Sequence, residues 1–387
     1  MFYILRIYCG LYKMYIWQRK QWPDWQWDLE VLGNLQANVS HKQGRLLGKM
    51  EGLGFDLRNE AHLQTLTEDV VQSSSIEGEE LPVDQVRSSI ARQLGLFTAN
   101  EVPSTPAVDG VVEMLADAAG NYATPLTQKR LLNWHRQLFP QGVGLREFRI
   151  GKWRNDKAGP MQVVSGPIGR EKVHYQAPPA DELKNSVKHF LNWFSAAGTP
   201  NTLITVGVAH LWFVTLHPFD DGNGRIARAI ADMALARSDQ SVQRFYSMSA
   251  QIRDEREAYY QQLERTQHGD LNITSWLTWF LECLDRSLDK SDKTIENVLQ
   301  KARLWQRLTG AGLNERQHLM LNRLLDQFEG KLTTSKWAKI SRCSQDTAAR
   351  DIKQLIEIGV IERDAGGGRS TSYSLVLENE RRTAFDK

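Results

Sequence analysis

From Thr202 to Leu216 the chain is apolar at almost every position, with no charged residue until the run stops at His217-Pro218. A helix apolar on all sides has to lie at the centre of a larger helical domain. His210 within it is expected to be a satisfied core histidine. Pro218 disfavours helical geometry at His217, and Gly222 and Gly224 allow backbone angles that side chains would block, so the segment reads as a turn. From Arg225 onward the alanine-rich pattern is strongly helix-forming. Two helices joined by a glycine-rich turn therefore fix the centre of the fold.

That turn carries chemistry. Its glycines precede a helix N-terminus, where unpaired backbone N–H groups attract anions. Arg225 and Arg228, three apart, fall on one side of the first helical turn, where each can fork onto phosphate oxygens. Asp221 beside them is a hard oxygen ligand suited to Mg2+, which takes one or two protein carboxylates plus phosphate oxygens and water. His217 is then left as the general base. A zinc pair of His217 and Asp221 at helical spacing is opposed by Pro218 and Gly222, and no further ligand cluster follows. A structural turn with arginines capping a core helix would account for a lone Gly-x-Gly, but not for every position from His217 to Arg228.

The stretch His217-Pro-Phe-Asp-Asp-Gly-Asn-Gly-Arg-Ile-Ala-Arg228 resembles the signature of the Fic family, His-Pro-Phe-x-Asp/Glu-Gly-Asn-Gly-Arg-x-x-Arg, without a departure. The resemblance implies transfer of AMP from ATP to a Ser, Thr or Tyr hydroxyl of a target protein, with release of pyrophosphate. In that scheme His217 deprotonates the hydroxyl and Asp221 holds Mg2+ across the α and β phosphates. Gly222, Asn223 and Gly224 form the anion-binding turn, Arg225 grips the β-phosphate, and Arg228 grips the γ-phosphate. Phe219 is read as the anchor of the loop.

A chain of 387 residues is longer than one core usually serves, so two or three domains are expected. A net charge of +2 gives no global pull toward nucleic acid or an anionic membrane. Cys9, Cys283 and Cys343 are scattered and odd in number, which fits a reducing cytoplasm rather than a disulfide framework or metal site. Met1 to Leu11 is apolar, but it is interrupted by Arg6, lacks a small-residue cleavage site and is too short to span a bilayer. An alternative start at Met14 is expected in preference to a membrane anchor.

Trp17, Trp22, Trp25 and Trp27 crowd the next stretch, which reads as a small N-terminal core rather than a binding surface. It also resembles a module found ahead of some Fic domains. Glu60 to Gln72 reads as a helix running into Ser73-Ser-Ser-Ile-Glu77-Gly78. Gly78 suits the position after a helix end, so Glu77 lies where a carboxylate is electrostatically unwelcome unless an arginine receives it. Arg228 is the natural candidate. Ser73-x-x-x-Glu77-Gly78 matches the inhibitory motif of Fic proteins, which implies that Glu77 pairs with Arg228 and takes the place of the γ-phosphate contact.

Helices are expected over Ala107–Ala119, Gln128–Leu138, Asp181–Phe194, Arg253–Glu264 and Ile273–Leu284. Arg146, Arg149, Lys152 and Arg154 have two readings, facing the nucleotide or a solvated surface, and the surface reading is preferred for most of them. Met161 to Tyr175 signals a hairpin around Gly166, Pro167 and Gly169. Its exposed edges suit a partner strand added by β-augmentation, and the resemblance implies a flap that docks the target, with Val163, Val164, Val173 and Tyr175 as candidates. Tyr259 and Tyr260 are candidates to stack on the adenine, with core packing as the rival reading.

Toward the C-terminus a helix over Glu315–Phe328, a helix-turn-helix pattern over Thr334–Ile340 and Ser344–Ile358, and two strands around Gly366-Gly-Gly368 follow the order of a winged helix. Gln345, Arg350, Lys353 and, on the wing, Arg369 are candidates for DNA contacts, set against Asp346 and Asp351. A protein-interaction or dimerisation role stands beside DNA binding.

The expectation is thus a mainly α cytoplasmic protein with a Fic helical core, a β-hairpin flap and a small C-terminal winged helix-turn-helix domain. Its parts are a 1–13 extension, a 14–102 N-terminal helical module with the inhibitory helix, a 103–300 catalytic domain, a 301–312 linker and a 313–387 winged helix. ATP is the expected co-substrate and Mg2+ the cofactor. Self-modification and homodimerisation are left open, and no membrane is involved. Two rivals remain: the same site run as a de-AMPylating hydrolase with Glu77 orienting water, and a nucleotide-sensing DNA-binding regulator.

Overall fold

The computed structural model describes residues 14–96, 102–140, 149–167, 169–196, 203–325, 328, 330–364 and 371–376. The chain is mainly α with two small antiparallel sheets, and divides into units Met1–Asp292 and Lys293–Lys387. The order in the first unit is α1 (Leu29–Glu51), α2 (Phe55–Ile76), α3 (Val83–Gln93), α4 (Pro106–Gly120), α5 (Gln128–Leu138), β1 (Gln162–Ser165) and β2 (Lys172–Gln176). It continues with α6 (Leu183–Ala196), α7 (Leu203–Leu216), α8 (Asn223–Asp239), α9 (Met248–Asp254), α10 (Arg256–Gln267) and α11 (Thr274–Arg307), the last crossing into the second unit.

Every residue of α7 except Thr205 is buried, as the absence of a polar face requires. Gly207 lets α11 approach. The indole Nε1 of Trp276 donates to the Gly207 carbonyl at 2.9 Å, and a Cβ at Gly207 would come within 2.8 Å of Leu277. His210 is buried with its Nε2 2.9 Å from the Tyr259 hydroxyl, a histidine of the core.

The tryptophan-rich segment does not build a core of its own. Trp22 and Trp25 pack edge-on against Trp212 of α7, at 6.3 and 6.0 Å between ring centroids, and Trp17 Nε1 donates to the Gln176 carbonyl at 2.8 Å. A short segment buries such large rings more completely against the existing aromatic wall of Phe190, Trp193 and Trp212 than it could alone.

Helix α2 is pinned to α8 through a buried guanidinium. Arg244 lies 3.2 Å from Asp69 of α2 and also bonds Asp232 of α8, while Ser247 Oγ donates to Asp69 at 2.6 Å. Burying these charges is tolerable only because they pair. The consequence is a fixed position for the C-terminal end of α2.

Some boundaries depart from expectation. The helix expected over Arg253–Glu264 breaks at Glu255, whose carboxylate accepts from Arg286 Nε and Nη2, both at 2.6 Å. Residues 301–307 are helical rather than a linker, because α11 carries Leu304 toward the second core, where Leu308 is buried as well.

In that second unit α12 (Glu315–Leu325), β3 (Leu332–Thr333), α13 (Thr334–Ile340), α14 (Gln345–Glu357), β4 (Ile361–Arg363) and β5 (Ser372–Leu375) enclose Met320, Trp337, Ile352, Leu355 and Val360. The strands lie in the order β3-β5-β4. Gln345, Asp346, Arg350 and Lys353 are exposed on α14. Asp351, in contrast, is buried and accepts from Arg316 Nε and Asn314 Nδ2, each at 2.8 Å. It therefore does not add negative charge to the exposed face. Arg369, Gly366–Gly368, Arg146 and the Met1–Leu11 stretch lie outside the described residues.

A candidate active site at the start of helix α8

Helix α7 ends at Leu216, and His217 takes a left-handed conformation with φ +47°. For a residue with a Cβ this costs roughly 1–2 kcal/mol and needs support from its surroundings. Arg154 supplies it. Its Nε donates to the His217 carbonyl at 2.7 Å, its Nη2 to the Pro178 carbonyl at 2.5 Å, and its backbone N–H to the Pro218 carbonyl at 3.0 Å. Expected on a solvated surface, Arg154 is buried instead, because the turn leaves carbonyls that a guanidinium fork can satisfy.

Phe219 is fully buried and stacks on His135 at 4.2 Å. The Asn223 side chain closes the loop on itself, Oδ1 accepting from Phe219 N–H at 2.9 Å and Nδ2 donating to the Phe219 carbonyl at 2.8 Å. Any contact of Asn223 with an anion thus falls to its backbone. The Asn223 and Arg154 clamps were not read from the sequence, since both depend on loop carbonyls whose direction only the folded turn defines.

The His217 ring is half-buried, with Nδ1 3.2 Å from the Val214 carbonyl. That contact requires the proton on Nδ1, which leaves the Nε2 lone pair as the base. Burial, reinforced by the Arg154 charge, lowers its pKa to about 4 against the opposing pull of the Val214 carbonyl, Glu77 and Asp221. The imidazole is neutral near pH 7, as a proton acceptor must be.

Gly222, with φ +77°, caps α8, whose first two turns present Arg225 and Arg228 with side chains 4% and 2% exposed. Two carboxylates occupy them. Glu77 Oε1 lies 2.8 Å from Arg228 Nη2, and Glu79 bonds Arg225 Nη1. A side chain built on Gly224 would collide with Glu77 Oε1, so this carboxylate rests against the backbone at the start of α8. Burial raises the Glu77 pKa, but the Arg228 charge and hydrogen bond, aided by Arg225 and Tyr260, outweigh it and hold the group below the usual range.

The segment bearing both carboxylates is capped at the end of α2. Gly78 has φ +84°, its N–H donates to the Ser75 carbonyl at 3.0 Å, and Glu79 N–H reaches the Ser74 carbonyl at 3.1 Å, the paired pattern of a Schellman end. Arginines receive the rest. Arg228 bonds Ser73 Oγ at 2.9 Å and the Ser73 carbonyl at 2.7 Å, Arg253 bonds Ser75 Oγ at 2.9 Å, and Arg256 bonds the Ile76 carbonyl at 2.7 Å. These cations suit the negative end of a helix dipole.

Tyr260 is half-buried, its hydroxyl 3.4 Å from Glu77 Oε2. Tyr259 is buried and engaged with His210, so it packs the core instead of facing a nucleotide. In the flap, Val163 pairs with Tyr175 and Val164 with Val173. Val164 and Val173 are 47% and 41% exposed, and Val163 is half-buried. Tyr175 is a correction: it is buried and donates to the Thr215 carbonyl at 2.7 Å, because alternation along β2 turns it inward to anchor the hairpin on α7.

Asp221 is exposed, with Oδ1 accepting from Gly222 N–H at 2.6 Å. The described residues contain no group of three or more His, Cys, Asp or Glu side chains able to hold a metal ion. An exposed carboxylate at the start of a helix fits Mg2+ sharing its ligands with phosphate and water better than a protein-enclosed zinc.

Residues 125–235 match the Fic/DOC family model, and residues 15–96 match a domain of unknown function, DUF4172. The chain is 31% identical over 121 residues to the protein adenylyltransferase Fic of Nematostella vectensis, covering 30% of this chain and 26% of that one. It is 24% identical over 233 residues to the Aedes aegypti protein of the same name, covering 59% and 42%. The Culex quinquefasciatus protein of that name is 22% identical over 282 residues, covering 72% and 52%. The chain thus spans from about a quarter to about half the length of these relatives. A solved Fic family protein from Desulfovibrio desulfuricans G20 aligns with TM-score 0.49 and 20% identity over 88% of this chain and 96% of its own. No helix of the described residues is long and apolar enough to cross a membrane.

Proposed function

Because the chain is a Fic family protein, we propose that it transfers AMP from ATP to a Ser, Thr or Tyr hydroxyl of a target protein and is held inactive at rest by Glu77 on Arg228. The observation that carries this is the juxtaposition, across one turn, of a neutral histidine and a helix N-terminus bearing two buried arginines. His217 Nε2 takes the hydroxyl proton as the oxygen attacks the α-phosphorus and pyrophosphate leaves, a general-base contribution of roughly 10² to 10⁴. The backbone N–H groups beginning at Gly222 and the guanidinium groups of Arg225 and Arg228 bind and orient the triphosphate. Mg2+ held by Asp221 would supply neutralisation of phosphate charge. The exposed valines of the flap offer a strand edge to the target segment.

Exposure of the Glu77 side chain, at 32%, supports a second reading in which the same site removes AMP and this carboxylate orients the attacking water. The α14 face with Gln345, Arg350 and Lys353 retains its candidacy for DNA or protein, and the second unit for a winged helix.

The test uses ATP labelled on the α- or the γ-phosphate with wild type, Glu77→Gly and Glu77→Gly/His217→Ala. The proposal expects α-label alone to enter protein, to rise in Glu77→Gly and to vanish in the double variant. Label from the γ-phosphate would overturn it. Loss of AMP removal in Glu77→Gly, with no gain of addition, would favour the hydrolase.

A further inference from the structure

Glu79 holds the other buried arginine. Its carboxylate bonds Arg225 Nη1, while the guanidinium lies 5.1 Å from the centre of the Phe139 ring and is 4% exposed. We infer that Glu79 is a second phosphate-excluding group, so that the resting site admits a nucleoside monophosphate and rejects the β- and γ-phosphates at two separate arginines. This rests on the proposed nucleotide site, in which Arg225 and Arg228 grip successive phosphates.

The placement of Glu79 is built into the backbone. Its N–H is the outer bond of the Schellman end, donating to the Ser74 carbonyl at 3.1 Å, and Gly78 between the two glutamates supplies the positive φ that turns both toward α8. Helix α2 is in turn fixed to α8 by Asp69, Arg244 and Asp232. One helix end therefore delivers two carboxylates to two arginines on adjacent turns of α8.

The two partners differ in what they need. Glu79 is 52% exposed, so water solvates its carboxylate when the pair opens. Arg225 is almost enclosed, and its Nε has no hydrogen-bond acceptor among the described residues. A buried guanidinium without an anion is costly, so removing Glu79 leaves a site that demands another anion. The β-phosphate is that anion, since a fork cannot be fully engaged by both. AMP, whose single phosphate sits short of this position in the proposed pose, would be indifferent to Glu79.

Calorimetric titration separates the cases. AMP, ADP and an ATP analogue with an imido bridge between the α and β phosphates are titrated, with Mg2+, into the full chain as wild type, Glu79→Gln, Glu77→Gln and the double variant. Glu79→Gln should tighten ADP and the triphosphate about tenfold and leave AMP within about twofold, tenfold corresponding to about 1.4 kcal/mol. Glu77→Gln should tighten the triphosphate alone. Glu79→Gln leaving ADP unchanged, or tightening AMP as much as ADP, would overturn the inference. Absence of binding by all three nucleotides to every variant would overturn it together with the nucleotide reading. The expected pattern in a protein that transfers no AMP would uphold this inference while the transferase proposal fell.

Discussion

Glu77 reaches across the glycine-rich turn to Arg228, with Oε1 2.8 Å from Nη2, although the two residues lie far apart in the sequence. The same oxygen rests against Gly224, where any side chain would displace it. Substituting Glu77 by Gly leaves Arg228 with its two bonds to Ser73, so the fold should survive. AMP incorporation from α-labelled ATP should rise by about tenfold or more, the scale of one charged contact removed from a competing site. An unchanged rate would show that this carboxylate does not hold the site shut.

Gly78 at φ +84° is the hinge of both carboxylates. Alanine there has open space for its methyl but pays the left-handed penalty, so Gly78→Ala should lose about 1–2 kcal/mol of stability in thermal or urea unfolding. Strain at this point should also loosen Glu77 and Glu79 together, tightening ADP in the same samples. Stability falling with no change in nucleotide affinity would confine Gly78 to a structural role.

Arg154 bonds the carbonyls of His217 and Pro178 but does not touch Arg225 or Arg228. Arg154→Ala leaves those carbonyls unsatisfied, at a cost of roughly 1–3 kcal/mol for each buried group, and frees His217 to leave its left-handed conformation. The expected signature, in a Glu77→Gly background, is a loss of kcat with nucleotide Kd preserved. Lysine should restore little, since a single ammonium cannot span two carbonyls. Equal losses in Kd and kcat would mean that Arg154 supports the whole cradle and not the base alone.

His210 is buried on every side, and burial, with the Arg228 charge adding to it, lowers its pKa to about 3. An unfolded histidine titrates near 6.5, so as pH falls below that value the unfolded chain takes a proton that the folded one refuses. The contribution of His210 to stability is therefore present above about pH 6.5 and shrinks below it, by up to about 1.4 kcal/mol per pH unit. Comparing unfolding of wild type and His210→Phe between pH 7.5 and 4.5 should show the difference between them moving steadily in favour of the variant as pH falls. A pH-independent difference would mean that His210 accepts a proton in place.

The turn from His217 to Arg228 was readable because its determinants are local. Pro218 restricts the residue just before it, Gly222 permits a positive φ at its own position, and α8 begins where the helix-forming pattern resumes. The buried helix α7 was readable from its lack of any polar face. Glu77 at a helix end was readable as a carboxylate in need of a cation. Less accessible were the assignments of Tyr175 and Tyr259, whose aromatic character is the same in a binding surface and in a core. Which use applies depends on whether a carbonyl of Thr215 or a ring of His210 lies within reach of the hydroxyl.

What sequence alone determined, then, is the part governed by chain-local geometry and by the need to hide apolar surface: the helices, the glycine-rich turn, and the residue types gathered in it. Tertiary structure decided the pairings. That Arg154 leaves the surface to brace His217, that the tryptophans join α7 rather than one another alone, and that Glu79 falls on Arg225 all follow from distances between segments far apart in the chain. Charges and carbonyls act through space over a few ångströms, and no local pattern records which distant partner the fold will bring within that range.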